Sequence, residues 1–333
     1  MATIQDVARQ AGVSIATVSR VVSNSLHKVN PETRERVLKT VKELDYRPNA
    51  LARSLQLKKT MTIGIIIPDI SNHYYAEIVR GIQDVADQNG YNIILQNTER
   101  KPDRIVKSIY LLREKIVDGI IFSGGIIHGY EPLSALNELR DRVVVIGRHE
   151  VNFPAIVVDN IGGAALATQH LIDLKHTRIG FIGGPQNSTT GIDRLKGYKG
   201  TLAQNGCPYD ERLVRRGNLT PKSGYQAAVR ILREKDRPTA IFAANDQMAF
   251  GTIYAAREQG LRVPQDLAVV GFDNVPLSTY FFPSLTTVEI PMNSLGAAAM
   301  EMLMNLMTNT HFSRMKWFKT RLIVRGSTAA GKM

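Results

Sequence analysis

Along the first sixty residues the apolar positions recur at three- and four-residue spacing, whereas from Thr62 onward they gather into short unbroken runs. The first pattern belongs to amphipathic helices and the second to buried strands. Within TIQDVARQAGVSIATVSR, Thr3 is placed to cap a helix with the stripe Val7, Ala8 and Ala11. Gly12 interrupts it, and Ser14 caps a second helix that turns Val18, Val21 and Val22 inward. Two short helices pinched at a glycine predict a helix-turn-helix, whose second helix enters the DNA major groove with its first turn against the base edges, or else an ordinary helical hairpin with a surface arginine. Asn30-Pro31-Glu32 then opens a third helix with a cap, a first-position proline and an acidic first turn, its stripe being Val37, Val41 and Leu44. Its other side carries Arg34, Arg36, Lys39 and Lys42, a set that suits phosphates or a plain solvated face. The helix ends before Pro48. The segment from Asn49 to Leu55 is helical in pattern but shorter than the ~12 to 15 residues that hold together alone in water. It is expected to order only against a partner, with Leu51 and Leu55 four apart on one face, or else to be a plain linker.

From Thr62 strand-length runs such as Ile63-Ile67, Tyr91-Leu95, Gly119-Phe122, Val143-Gly147, Arg178-Gly183, Ala240-Ala243 and Leu267-Gly271 alternate with helical stretches. Alternation of this kind predicts parallel sheets with helices on both faces. It runs twice, around Thr62 to Asp159 and around Ile161 to Glu289, so the expected fold class is α/β: an all-α head and hinge followed by two doubly wound lobes. One of the helices is placed at Arg194 to Asn205. Ligands bind such sheets beyond the carboxyl ends of the strands, and the polar residues there are Asp69, Ser71 and Asn72; Arg148; Asp159; Asn187 to Thr190; Asn245 and Asp246; Asp273 and Asn274. Asn, Asp, Arg and Tyr are what a cleft uses to hold hydroxyl-rich or planar polar molecules.

Charge sharpens the reading of the head. The chain of 333 residues has a net charge of +12, and residues 1–60 hold eleven Lys and Arg against five Asp and Glu. Such a basic head points to phosphate backbones. In the second helix Arg20 is the candidate for a bidentate bond to guanine, while Ile15 and Ala16 offer apolar contact. The whole DNA-facing set is Ser14, Ile15, Ala16, Thr17, Ser19 and Arg20. Cys207 is the only cysteine, which excludes a disulfide or a cysteine-based metal cluster within one chain. Neither a phosphate-cradling glycine motif nor a serine elbow nor a metal-ligand spacing of the seven histidines is present. The expectation is no enzyme, no cofactor and no metal. No run is long enough to cross a membrane and no signal-peptide core opens the chain, so a cytoplasmic location is expected.

The motifs TIQDVARQAGVSIATVSRVV, RPNALARSL, IGIIIPDISNHYYAEIVRGI, DGIIFSG, FIGGP, RLKGY, PTAIFAANDQMAFG, VPQDLAVVGFDN and LTTVEIPMNSLG, in this order, resemble the LacI/GalR transcriptional regulators. The resemblance implies a helix-turn-helix domain at 1–47, a hinge helix and linker at 48–60, and a core of the periplasmic-binding-protein type I kind. Its first lobe would comprise 61–160 and 292–319, its second 161–291 and 320–333, with chain exchange near Asp159 to Gly162, Ile290 to Met292 and Lys319 to Leu322. Carried over residue by residue, Leu55 is the minor-groove wedge, with Asn49, Leu51 and Ala52 as its hinge companions on DNA. The effector contacts implied are Asn72, Tyr74, Tyr75, Arg148, Arg194, Asn245 and Asp273, with Leu219 and Met292 at wall positions where sugar-binding relatives often have an aromatic. For Arg194 and Asp273 the alternative is a salt bridge between lobes. Where carbon-catabolite regulators carry an arginine in a sequence like AMRLL that binds a phosphorylated carrier protein, this chain has Glu301 in AMEML, which argues against that partner. The tail after Arg325 lacks leucine heptads, so a homodimer is expected rather than a tetramer. The expected function is a repressor on a pseudo-palindromic operator with a central CG step, released by a small polar effector, most simply a sugar or sugar derivative. A nucleobase or nucleoside effector, a corepressor mode and a sugar-binding protein without a regulatory role are the alternatives.

Overall fold

In a computed structural model the described residues are 2–22, 29–46, 59–124, 130–148, 152–186 and 188–328. The hinge residues Asn49, Leu51, Ala52 and Leu55 lie outside them, as does Asn187. The chain divides into two units, Met1–Met61 and Thr62–Met333.

The first unit contains helices α1 (Ile4–Ala11), α2 (Ile15–Val22) and α3 (Pro31–Glu43). A reciprocal cap starts α1: the Thr3 hydroxyl accepts from the Asp6 backbone N–H, and the Asp6 carboxylate accepts from the Thr3 N–H at 3.0 Å. Gly12, at φ +64°, ends it in the left-handed region. The Val13 N–H then closes back on the Ala8 carbonyl at 3.0 Å. Ser14 follows as the cap of α2, its Oγ accepting from the Thr17 N–H at 3.2 Å. Val7, Ala8, Ala11, Val18, Val21 and Val37 form the core of this unit. Arg36 Nε donates to the Ala11 carbonyl at 2.9 Å, tying α3 to the end of α1.

The second unit holds two parallel-sheet lobes. The first lobe contains β1 (Thr62–Ile67), α4 (His73–Gln88), β2 (Asn92–Asn97), α5 (Pro102–Glu114), β3 (Gly119–Ser123), α6 (Tyr130–Asn137), β4 (Val143–Ile146) and β5 (Ala155–Val158). The second contains α7 (Asn160–Asp173), β6 (Ile179–Gly183), α8 (Thr189–Gln204), β7 (Val214–Arg216), α9 (Pro221–Leu232), β8 (Ala240–Ala243), α10 (Asp246–Glu258), β9 (Ala268–Asp273), α11 (Leu277–Tyr280) and β10 (Thr286–Glu289). After β10 the chain adds α12 (Met292–Met307) and β11 (Met315–Phe318), then β12 (Arg321–Ile323). Strand order among the described residues is β11-β5-β4-β3-β1-β2 in one sheet and β12-β10-β9-β8-β6-β7 in the other. All pairings are parallel except β10 with β12. Both sheets are covered on two faces, which is why their strands read as continuous apolar runs rather than as alternation.

Helices on the same face approach through glycines. A side chain at Gly296 of α12 would overlap the Ile78 carbonyl of α4, and one at Gly81 of α4 would overlap the Asn293 carbonyl of α12. Backbone therefore lies against backbone at this crossing. Gly296→Ala forces the two helices apart and is expected to cost ~1 to 3 kcal/mol by overpacking. Thermal unfolding read by circular dichroism checks it: Tm falls by several degrees, and an unchanged Tm would show that the crossing is looser than drawn.

Candidate DNA interface and interlobe cleft

In the head, Val18 and Val21 face the core and the other side of α2 faces solvent. Ser14, Ala16 and Arg20 are exposed, Ile15 retains 46% of its accessibility, and Thr17 and Ser19 are half-buried. Ala16 and Arg20 stand four residues apart, hence on one stripe, as do Ile15 and Ser19. The Ser14 and Thr17 hydroxyls are 2.9 Å apart, so their first duty is to cap the helix. A short apolar patch followed one turn on by an exposed guanidinium is the surface that base edges in a major groove require.

In the core, the carboxyl ends of β8 and β9 and the first turns of α7 and α8 converge on one side chain. Arg194, on α8 and 5% exposed, donates through Nε to Asn160 Oδ1 at 2.9 Å, through Nη1 to the Ala244 carbonyl, and through Nη2 to Asp273 Oδ1 at 3.4 Å. Its guanidinium carbon lies 3.7 Å from the centre of the Phe272 ring, a stacking that suits a desolvated cation. Asp273 ends β9 at φ +115°, a left-handed conformation that turns its carboxylate toward Arg194. Burial pushes the Asp273 carboxyl above its ordinary range, opposed by the neighbouring guanidinium. Arg194 and Asp273 do pair, but both belong to the second lobe. The alternative of a salt bridge between lobes is therefore not what this pair forms: Arg194 lies on α8 and Asp273 at the end of β9, both in the second lobe.

The first lobe contributes Tyr74. Burial raises its phenol well above the ordinary value, and the charges of Asp273 and Arg194 also act on it. It meets Tyr75 edge-on with centroids 5.0 Å apart. Tyr75 is buried beneath Gly124, at φ +66°, where any side chain would strike the phenol. Burial raises the Tyr75 phenol above its ordinary value, opposed by the nearby Arg100 charge. Asn72 caps α4 through the Tyr74 N–H at 3.1 Å. Asn245 caps α10 through the Met248 N–H at 3.0 Å and donates to the Leu219 carbonyl at 3.2 Å. The amides at 72 and 245 thus first hold the walls in place. Leu219 is half-buried in the left-handed region, and Met292 is buried at the start of α12.

Arg148 follows β4 and crosses to the second lobe. Its Nη2 meets Asp193 Oδ1 at 2.7 Å and its Nε meets Asp193 Oδ2 at 3.2 Å, a two-point pair. The Thr189 hydroxyl donates to the Arg148 carbonyl at 2.8 Å. Asp193, Asn160 and Phe272 were not foreseen from sequence. With α8 placed from Arg194 onward, Asp193 fell in a loop. The helix begins at Thr189, capped by Ser188, and so points consecutive residues 193 and 194 at different partners. Ser123 was also not foreseen: it ends β3, is 1% exposed, and its hydroxyl finds no partner among the described residues.

Asp246, the first residue of α10, lies fully buried behind Asp273. It accepts from the Val275 N–H at 2.9 Å, the Ser278 hydroxyl at 2.6 Å and the Thr287 hydroxyl at 2.5 Å. Burial nevertheless pushes its carboxyl above the ordinary 3.8. A raised folded-state pKa means that the folded protein takes up this proton at higher pH than the unfolded chain does. The carboxylate therefore costs stability at neutral pH, and the cost fades as pH falls through the raised value, fully so by the ordinary one. Asp246→Asn has nothing to titrate. The stability of the wild type relative to that variant is expected to rise between about pH 7 and pH 5 in urea unfolding; a flat difference would show that the carboxyl does not titrate there.

A three-helix basic head followed by a two-lobed core with polar residues at its strand ends is the architecture of a DNA-binding regulator. The pattern described as "Bacterial regulatory proteins, lacI family" matches residues 3–49, and that of a "Periplasmic binding protein-like domain" matches residues 168–328. Catabolite control protein A of Priestia megaterium is 44% identical over 92% of each chain. Among solved structures, the lac repressor dimer bound to operator and the anti-inducer ONPF is 30% identical with a TM-score of 0.89, covering 99% of each chain. A complex of the transcriptional regulator CelR with cellobiose is 32% identical with a TM-score of 0.74, covering 98% of this chain and 100% of the other. The chain belongs to the LacI family. It is a DNA-binding transcriptional regulator, not an enzyme.

Proposed function

We propose that this regulator is a repressor whose two-fold dimer reads a pseudo-palindromic operator with a central CG step, and that a small uncharged polyhydroxy effector, a sugar or sugar derivative, releases it. The observation that carries the effector reading is the group around Arg194: a guanidinium and a carboxylate side by side, Phe272 under the first, and Tyr74 reaching in from the other lobe. Paired charged hydrogen-bonding groups beside aromatic faces are what vicinal hydroxyls require. The cellobiose held by one relative supports the same class. Glu301 is exposed on α12, so a phosphorylated partner approaching that face would meet a repelling charge. Exposed Leu277, Tyr280 and Phe282 on the second lobe support a homodimer. Leu51 and Leu55 enter the proposal on sequence alone, as the leucines offered to the minor groove.

Arg194→Ala tests the effector site. In a thermal-shift screen of neutral mono- and disaccharides, starting with cellobiose, a sugar at a hundred times its Kd stabilises the wild type by about 2.7 kcal/mol. The variant should lose that shift and keep its operator affinity; an undiminished shift would remove Arg194 from the site.

Arg20→Ala tests the head. It should weaken operator binding by ~1 to 3 kcal/mol and relax one symmetric base position. An unchanged base preference in a binding-site selection would exclude Arg20 from direct readout.

A further inference from the structure

The two lobes are joined by more than the chain that passes between them. Arg148, from the end of β4, is held by the first turns of α8 at both its ends: the guanidinium by Asp193 and the main-chain carbonyl by Thr189. The partners differ in exposure, the Arg148 side chain keeping 51% of its accessibility and Asp193 only 12%. The arginine therefore lies over the aspartate like a lid, and the carboxylate is the member that needs its partner. With the lobes closed, an unpaired Asp193 would be a shielded charge, whereas with the lobes apart both groups are hydrated.

We propose that Arg148 and Asp193 form a clasp that closes the cleft before any effector arrives, which makes Asp193 a positioning residue of the switch. This rests on the reading of the cleft as the effector site and extends it to how the site is regulated. Two features give the clasp its leverage. Its geometry is two-point, which fixes the angle between lobes as well as their separation. It also shares one helical turn with Arg194, so a ligand that draws on Arg194 shifts the segment carrying Asp193. The effector then acts on lobes that already meet, and Arg148 serves closure rather than ligand contact.

The test is made on the full chain without ligand. Cys207→Ser removes the native thiol, and Gln88→Cys and Gln204→Cys, both exposed and one on each lobe, carry spin labels whose separation is read by double electron–electron resonance. With labelled chains diluted in excess unlabelled protein, so that each dimer carries one labelled subunit, the wild-type background should give one dominant distance. Asp193→Asn and Arg148→Met should each add a second one, lowering the closed-to-open ratio by about two- to fivefold. Because they break the same bond, the two substitutions together should shift it no further than either alone. A distribution that Asp193→Asn leaves unchanged, or shifts that add in the double variant, would overturn the clasp. The distances are read without sugar, so a failed sugar screen would overturn the effector reading and leave this result standing.

Discussion

Everything at the centre of the core follows from placing one guanidinium where water cannot reach it. A buried cation is costly unless its donors are met, and removing one partner of such a pair leaves an uncompensated charge. The partners of Arg194 come from separate elements: Asn160 from α7, the Ala244 carbonyl from the end of β8, and Phe272 and Asp273 from the end of β9. Satisfying this one side chain therefore fixes the relative positions of two strand ends and two helix starts. The left-handed backbone at Asp273 and Asn274 fits the same demand, since it turns the chain sharply at the strand end. Local strain held by surrounding structure is characteristic of residues that serve a site.

Behind that group a second polar network holds the far side of the second lobe. Asp246 gathers three donors from the segments after β9 and from β10, and residues 325–328 are tied to the same strands. Ser327 Oγ donates to the Val269 carbonyl at 2.6 Å, the Thr286 and Thr328 hydroxyls meet at 2.8 Å, and Arg325 reaches Asn274 at 2.8 Å and the Leu285 carbonyl at 2.8 Å. The result is a lobe whose strand ends are cross-tied by side-chain bonds, while its connection to the other lobe runs through three short passages of chain. Rigid walls joined by short connections permit one soft motion, a change of angle.

The layout was readable in the sequence where a single rule decides it. Unbroken runs such as Ile63 to Ile67 are strands because both faces are covered, and Thr3, Gly12, Ser14 and Asn30 mark helix ends because each answers an unsatisfied backbone group. Strand-end arithmetic also brought Arg148, Asn245 and Asp273 to attention. It failed where the partner is defined by tertiary contact. Asp193 has no signature apart from its neighbour, and it emerged only because α8 starts five residues before Arg194. Asn160 looked like part of a crossing, and Phe272 like one more core apolar residue. The strands β5, β7, β10, β11 and β12, three or four residues each, carry too little pattern to stand out. In α7 and α12 a wide buried face and interior glycines blur the polar stripe by which a surface helix is recognised.

The energy scales of the two units differ in a way that suits a switch. In the head, a core of small valines and alanines is closed by caps and short bonds, Ser14 and Thr17 hold the start of α2, and Ile15, Ala16 and Arg20 are left exposed on its outer side. In the second unit the costly groups, Arg194, Asp246 and Asp273, are all satisfied within one lobe, and what joins the lobes across the cleft includes a pair that solvent partly reaches. A partly exposed ion pair contributes on the order of 1 kcal/mol, whereas breaking a buried one costs ~3 to 5 kcal/mol. Had the cation at 194 been paired across the cleft, opening would have met the larger figure and the lobes would behave as one body. For the proposed switch, placing the buried pair inside a lobe and the half-exposed pair between lobes would keep closed and open arrangements within reach of each other. A ligand shifts such an equilibrium only by its difference in affinity for the two arrangements, so near balance is the condition under which a coupling of ~1 to 3 kcal/mol changes occupancy of DNA.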